Sequence, residues 1–349
     1  MRLSCGIVTL SANFETKNFK EADMFKAVQF TQAGSPPDVA QVVDVPDPGE
    51  PGAGEAVLAV EVAPIEPADL LRAMGDLHAF GPPPYIGGLE GMGRVIAVGA
   101  GVRHIKPSDR VLLPVAAGSW QDRLRVPAQT LFPLPPDVDP LQLGQLTINP
   151  PTAHVLLNEY VDLKPGDWFI HNAANSSVGR YLIRLGRHME LRPINVVRRE
   201  SAVRAMQSVG GETLVDGPDL PERVAALTGG APVKLALDAV AGEATMRLAL
   251  CLAEGGVLVS YGAQSQQPCV VPAPMFTMKN IQHRGLFMGR WFSESGPEKI
   301  GATFGTLAGL IGQGVLKSEV EATYPLTEVR AALAHAMRER DGRILITPN

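Results

Sequence analysis

Residues 167–179 read Asp-Trp-Phe-Ile-His-Asn-Ala-Ala-Asn-Ser-Ser-Val-Gly. A short apolar run passes into a turn of small residues, and a helical pattern starts at Ser177. From there the chain alternates. Strands are expected at 167–172, 193–197, 212–215, 233–239 and 256–261, with helices at 177–189, 201–209, 219–227 and 243–253 between them. Alternation at this spacing requires parallel strands joined by right-handed crossovers, with helices on both faces of the sheet. It places the small-residue turn at the carboxyl edge of that sheet. Such a turn lets the backbone approach a pyrophosphate, and the helix N-terminus adds free N–H groups and a positive dipole end. An ordinary strand–helix connection would also fit, because Gly179 is the one glycine in the turn.

The flanking segments have another character. From Met24 to about Leu134 short strands and turns dominate: 24–30, 56–62, 93–98 and 110–115, with one helix at Pro67–Met74 that begins on a proline suited to a first turn. A helix is expected at Ala153–Tyr160. Beyond residue 290 come a helix at 297–313, a strand at 319–324, a helix at 327–339 and a last strand near 343–346, which needs a sheet partner in the first domain. Two turns, Lys106-Pro107-Ser108-Asp109 and Lys164-Pro165-Gly166-Asp167, each precede an apolar strand and are read as turn chemistry. Residues 1–23 lack sustained periodicity and are expected to be a disordered extension; Glu15, Glu21 and Asp23 argue against a transit peptide.

The 349 residues suffice for two domains. A net charge of −5 excludes a general nucleic-acid binder, which needs clustered Lys and Arg. No apolar run reaches the roughly 20 residues that span a bilayer. Cys5, Cys251 and Cys269 are widely separated and form no CxxC pair, so a reducing, cytoplasmic setting is expected.

About twenty residues after the small-residue turn, the second strand ends in Arg198-Arg199. A dinucleotide with a free ribose 2′-hydroxyl would call for an acid there. A guanidinium fork suits a 2′-phosphate instead, with Ser201 able to add a hydrogen bond. The expected cofactor is therefore NADPH; solvated charges at a strand end are the alternative.

These features, with Gly87-Gly88-Leu89-Glu90-Gly91-Met92-Gly93, Asn149-Pro150-Pro151-Thr152-Ala153, Ile194-Asn195-Val196-Val197-Arg198 and Tyr261-Gly262, resemble the medium-chain dehydrogenase/reductase superfamily from Met24 to Asn349. Within it the similarity is to the mitochondrial-type 2-enoyl thioester reductase branch, near the quinone oxidoreductases. The resemblance implies an α/β chain: a GroES-like β-rich domain at 24–148, completed by about 291–349, and a Rossmann domain with a doubly wound parallel sheet at 149–290. It implies a homodimer, a small-molecule substrate bound between the domains, and no nucleic-acid or membrane partner. Implied cofactor contacts are Asn149, Asn175, Ser176, Ser177, Val178, Gly179, Arg198, Arg199, Ser201, Tyr261, Gly262, Ala263 and Gln264. Leu286, Phe287, Met288 and Gly289 would face the nicotinamide, although plain packing would account for them equally.

Two departures matter. Many relatives hold a zinc with an early Cys and a His-Glu pair. Here Pro64–Asp69 contains no Cys and Leu89 precedes Glu90, so no metal is expected. A zinc-free site favours acceptors that are already activated, and a zinc-type alcohol dehydrogenase is disfavoured. In the enoyl reductase branch a tyrosine supplies a proton, and its position falls on Leu77, which has none to give. His78 and Tyr85 are the nearby alternatives; a loop histidine and a packing tyrosine are their plainer roles. The expected function is NADPH-dependent, zinc-independent hydride transfer to an enoyl thioester, an enone or a quinone. A non-catalytic NADPH-binding protein is the competing class.

Overall fold

The computed structural model describes residues 24–348. The extension expected at residues 1–23 lies outside the described residues.

Six parallel strands build the central sheet. In spatial order they are Glu212–Val215, Arg192–Val197, Trp168–His171, Val233–Asp238, Val257–Ser260 and Gln282–Gly285. The chain thus adds strands outward in one direction, returns to the middle, and adds three more on the other side. The order reverses between Trp168–His171 and Val233–Asp238, and a crevice opens at the carboxyl ends of those two strands. Their apolar side chains face helices on both sides: Phe169, Ile170, Ile194, Val196, Leu235, Leu237 and Leu258 are all buried. Fully burying one such apolar side chain stabilises by about 1.5–3 kcal/mol.

The helix Ser177–His188 shows why the sequence folds this way locally. Tyr181, Leu182 and Leu185 recur at helical spacing and are buried, while Arg180, Arg184 and Arg187 turn away from the core. Ser176 caps it, its Oγ accepting from the Gly179 N–H at 3.1 Å. Arg187 and His188 occupy the last turn, where the dipole favours cations.

The β-rich part surrounds a second core. Met24–Phe30 pairs with Ala40–Pro46 and with Tyr85–Ile86. Glu55–Pro64 pairs with Met92–Val98 and Arg123–Pro127. Trp120 is the largest fully buried side chain and packs against Phe30. Gly87 leaves the room for it, since a Cβ at that position would lie 2.4 Å from the indole. The last strand, Arg343–Ile346, does find a partner upstream: it pairs antiparallel with Ala63 and Pro64 and parallel with Val320–Tyr324.

Both Lys-Pro-x-Asp turns close identically. Asp109 Oδ2 accepts from Lys106 N at 2.9 Å, and Asp167 Oδ2 from Lys164 N at 2.8 Å. Several expected boundaries move for identifiable reasons. The helix expected from Ala153 begins at Asn149, because Pro150 and Pro151 fall in the first turn, where no N–H is needed. The strand expected to reach Val115 stops at Leu112, two residues before Pro114 interrupts the donor pattern. The helix expected at 327–339 is a 3₁₀ turn, Leu326–Glu328, followed by Val329–Ala336.

One buried group gives the sheet a pH signature. His171 is fully buried, and its Nε2 lies 2.9 Å from Asn195 Oδ1. Asn195 spends its Nδ2 hydrogens on Gly210 O and Thr213 Oγ1, so its Oδ1 accepts and His171 carries its proton on Nε2. Nδ1 is left without a partner. Burial drives the imidazole pKa down from 6.5 to about 4. The unfolded chain therefore binds more protons between these values, and stability falls as pH drops through that window. We predict a His171-dependent loss of about 3 kcal/mol between pH 6.5 and 4. Denaturant unfolding of wild type and His171→Gln across that range checks it; parallel pH profiles would contradict it.

Candidate active site

The crevice is closed at its base by a hydrogen-bonded latch across the two central strands. Asn172 Nδ2 donates to Asp238 Oδ1 at 2.6 Å, and Asn172 Oδ1 accepts from Ala239 N at 2.7 Å. Asp238, also fully buried, takes further hydrogen bonds from Val240 N, Ala241 N and Thr245 Oγ1. These hydrogen bonds hold the two lining loops together and fix the width of the crevice. Asp238 and Thr245 were not singled out from the sequence. The usable signal was an acid ending an apolar strand before a run of small residues.

A cavity of about 450 Å³ opens above this latch. It gathers Asn175, Arg198, Arg199 and Gln264 from the residues expected at the cofactor, with Asn172 of the latch beside them. It also contains Asp216, Glu243 and Arg247, which were not expected; Arg247 is held by Asp216 through Nε at 2.7 Å and Nη2 at 2.6 Å. Beside the cavity runs the small-residue turn. Gly179 packs so closely that a Cβ would sit 2.5 Å from Ala174 O and 2.7 Å from Ala173 O. Ser177 Oγ accepts from Arg343 Nη1 at 3.2 Å, which leaves its own O–H available.

The two adjacent arginines differ. Arg199 is engaged as a fork by Glu339, with Nη1 donating to Oε2 at 2.8 Å and Nη2 to Oε1. Arg198 is exposed and makes no hydrogen bond or ion pair among the described residues. Ser201 is exposed on the first turn of the helix Glu200–Gln207. Val178 is half-buried beside Ser177.

Other expected residues lie outside this cavity. Tyr261, Gly262 and Ala263 follow the Val257–Ser260 strand; Tyr261 N donates to Asp238 O at 2.9 Å, and burial raises the phenol's pKa. Leu286 follows the edge strand Gln282–Gly285, Phe287 is exposed, and Met288 and Gly289 open the helix Met288–Glu294.

Asn149 belongs to a buried polar island between the β-rich part and the crevice. Its Nδ2 donates to Glu66 Oε1 at 2.9 Å. Glu66 also accepts from Arg343 Nη2, and Arg343 Nη2 lies 3.7 Å from Glu90 Oε1. Glu90 Oε2 accepts from Ile148 N at 2.9 Å. Burial pushes the Glu66 carboxyl upward, but the Arg343 charge and hydrogen bonds from Arg343 and Asn149 hold it below the usual carboxylate range. Burial, reinforced by the Glu66 charge, pushes Glu90 well above it.

Leu77 is half-buried between the Pro67–Met74 helix and the short 3₁₀ turn His78–Phe80. Tyr85 stacks between Phe30, at 5.2 Å between centroids, and the Arg72 guanidinium, 3.6 Å from the ring centre. Its hydroxyl is buried with no partner, and burial pushes it up to about 12. Asp69 faces the same region; burial raises it to about 8 while its Oδ2 accepts from Glu66 N at 2.8 Å.

Comparison with known proteins covers nearly all of this framework. Residues 52–136 match the model of the alcohol dehydrogenase GroES-like domain, and 177–301 match that of the zinc-binding dehydrogenases. The chain is 33% identical to the mitochondrial enoyl-[acyl-carrier-protein] reductase of Caenorhabditis elegans over 313 residues, 88% of this chain and 90% of that one. It is 32% identical to the Dictyostelium discoideum protein of the same name, covering 81% and 83%. Among solved structures, a Bacillus thuringiensis protein assigned as an NADPH:quinone reductase superposes with a TM-score of 0.84 at 30% identity, over 93% of this chain and 99% of that one. A mitochondrial 2-enoyl thioester reductase heterodimer from Candida tropicalis shares the fold, with a TM-score of 0.82 at 24% identity over 93% and 99%. The mitochondrial names of the enoyl reductase relatives overturn the cytoplasmic expectation. That expectation rested on cysteine spacing, and a reducing environment does not identify a compartment.

The close contact at Gly179 makes a direct prediction. Gly179→Ala should destabilise the protein by about 1–3 kcal/mol through forced displacement of the turn, measured by denaturant unfolding. An unchanged midpoint would mean that the turn is looser than described.

Proposed function

The chain belongs to the medium-chain dehydrogenase/reductase superfamily, in its enoyl reductase branch, and from that premise we propose that this NADPH-dependent reductase acts on enoyl thioesters. The observation that carries the proposal is similarity to enoyl-[acyl-carrier-protein] reductases along almost the full length of both chains. The same relatives favour a mitochondrial setting.

The crevice suits the cofactor. The tight turn at Gly179 keeps side chains away from a pyrophosphate, and the capped N-terminus of Ser177–His188 offers N–H groups to it. Arg198 is the uncommitted cation beside the cavity and would hold the 2′-phosphate; Arg199 would first have to yield Glu339. Asn149, Ser176, Ser177, Val178, Tyr261 to Gln264 and Leu286 to Gly289 are proposed to line the remainder. NADPH supplies a hydride for the electron-poor β-carbon of the acceptor. The protein's part is to hold the acceptor carbonyl, exclude water and provide a proton at the α-carbon.

Leu77 cannot provide that proton. Tyr85 keeps its proton across physiological pH, and its hydroxyl is unspent. Tyr85 and His78 are proposed as the donors to be tested. Leu77 also supports a second acceptor class, because a quinone can take its protons from solvent; the 30% identity to a protein assigned as a quinone reductase agrees. We propose zinc-independent chemistry, because Leu89 has no metal-binding atom and Pro64–Asp69 has no thiolate.

A homodimer is proposed through the edge of the central sheet. All four residues of Gln282–Gly285 are exposed, the strand pairs on one side, and Met278 and Phe287 nearby are 78% and 52% exposed. Light scattering should give twice the 37.1 kDa chain mass.

NADPH oxidation with a crotonyl thioester and with a quinone tests the acceptor. We predict turnover with the thioester, a fall on the order of 10²-fold in kcat for whichever of Tyr85→Phe or His78→Ala removes the donor, and no matching fall with a quinone. Turnover of quinone alone would replace the enoyl assignment. Arg198→Ala should raise the KM for NADPH on the order of ten-fold or more while leaving NADH nearly unaffected, with a smaller effect from Arg199→Ala. Equal changes for both cofactors would remove the 2′-phosphate role.

A further inference from the structure

Glu66, Glu90 and Arg343 are 3%, 0% and 5% exposed, so two carboxyls and one guanidinium share a dry site. Ionised together, the three would carry one uncompensated negative charge, at a cost of several kcal/mol. The hydrogen bonds show how that charge is avoided. Glu66 is surrounded by donors from Asn149 and Arg343. Glu90 Oε2 takes the Ile148 N–H, but its Oε1 is buried and accepts nothing. Glu90 Oε1 lies 3.7 Å from Arg343 Nη2, the same nitrogen that donates to Glu66 Oε1, so one guanidinium nitrogen brings the two carboxyls together. A proton on Glu90 Oε1, donated to Glu66, removes both the orphan oxygen and the excess charge.

We propose that Glu66 and Glu90 hold one proton between them and, as a one-proton pair, position Asn149 and the Arg343–Ser177 contact at the mouth of the dinucleotide crevice. The placement supports this. Glu66 caps the Pro67–Met74 helix, and Glu90 precedes the Met92–Val98 strand, both in the β-rich part. Asn149 and Ser177 are the first residues of their helices on the crevice side. Arg343 joins the two sides through Glu66 and Ser177. Loss of the shared proton would set two anions against each other and draw Arg343 away from Ser177. Neither glutamate contacts the reacting atoms in this account; both act through Asn149 and Arg343.

Other charged or titratable groups facing the pair are Asp69 from the Pro67–Met74 helix, itself beside Arg72, Tyr181 from Ser177–His188, and Arg340 with Arg343 from the tail. Asp69 is itself raised to about 8, so alkaline behaviour must be read as a difference between variants. Glu90 holds its proton in the folded state above its unfolded pKa. Its contribution to stability is therefore complete at acid pH and is lost as pH rises through the raised value.

The positioning role rests on the NADPH reading; the shared proton does not. Three measurements on the full chain test them. The infrared difference spectrum of wild type minus Glu90→Gln should show a neutral carboxylic-acid band. As pH rises above the ordinary carboxylate range, wild type should lose more stability than Glu90→Gln, whose amide replaces the shared proton with a permanent donor. NADPH binding, followed by fluorescence, should weaken on the order of ten-fold in Glu90→Ala and recover to within about three-fold of wild type in Glu90→Gln. Absence of the difference band, or identical alkaline profiles, overturns the shared proton. Equally weak binding by the Gln and Ala variants overturns the positioning role. If Glu90→Ala does not fold, the spectrum and pH profile of Glu90→Gln decide alone. If wild type binds no NADPH, the cofactor reading fails while the band and stability profile still judge the pair.

Discussion

A guanidinium removed from water must be paired, and Arg343 is paired with groups from distant parts of the chain. Its side chain meets Glu66, Glu90 and Ser177. The cap of the Pro67–Met74 helix, the Gly-rich segment, the helix of the small-residue turn and the C-terminal strand therefore converge on one charge. That convergence explains why the tail returns to the β-rich part instead of extending the central sheet. It also sets the cleft: the β-rich part is held against the crevice by a few charge-assisted hydrogen bonds in a dry environment, where such bonds are strong but intolerant of a missing partner.

The crevice is the second element. Parallel strands that reverse their order leave a gap between the first connection on each side, and here the gap is stitched by Asn172 and Asp238. The latch is buried and tied by several hydrogen bonds, so the cavity above it is largely pre-formed. Its chemistry follows from what is left uncommitted. Arg198 is free, whereas Arg199 and Arg247 are already held by Glu339 and Asp216. One pre-placed cation next to a close-packed turn suits a phosphorylated dinucleotide, and it fits the reductases to which the chain is similar.

Local signals carried most of the fold. Met24–Phe30, Pro67–Met74 and the strand–helix alternation after residue 167 were legible because their periodicity and caps lie within a few residues of each other. The edge strand was not. Gln-His-Arg-Gly at 282–285 has no apolar alternation, because an edge strand exposed on its outer side buries nothing that would demand it. The site was half legible for a similar reason. Ser176, Gly179 and Arg198 sit in a local motif and could be singled out. Glu66 reads locally as a helix cap, and its partner Arg343 lies 277 residues away. Arg199 looks equivalent to its neighbour until Glu339, 140 residues on, takes its guanidinium. Long-range pairing of charges leaves no periodic trace in a sequence.

We propose that the crevice delivers a hydride from NADPH to the β-carbon of an enoyl thioester. The most direct test uses NADPH carrying deuterium at C4 on the transferred face, a crotonyl thioester and mass-resolved analysis of the product. One deuterium is expected at the β-carbon of the saturated thioester, with a solvent-derived hydrogen at the α-carbon. An unlabelled product, or deuterium recovered only in a reduced quinone when both acceptors are present, would contradict it.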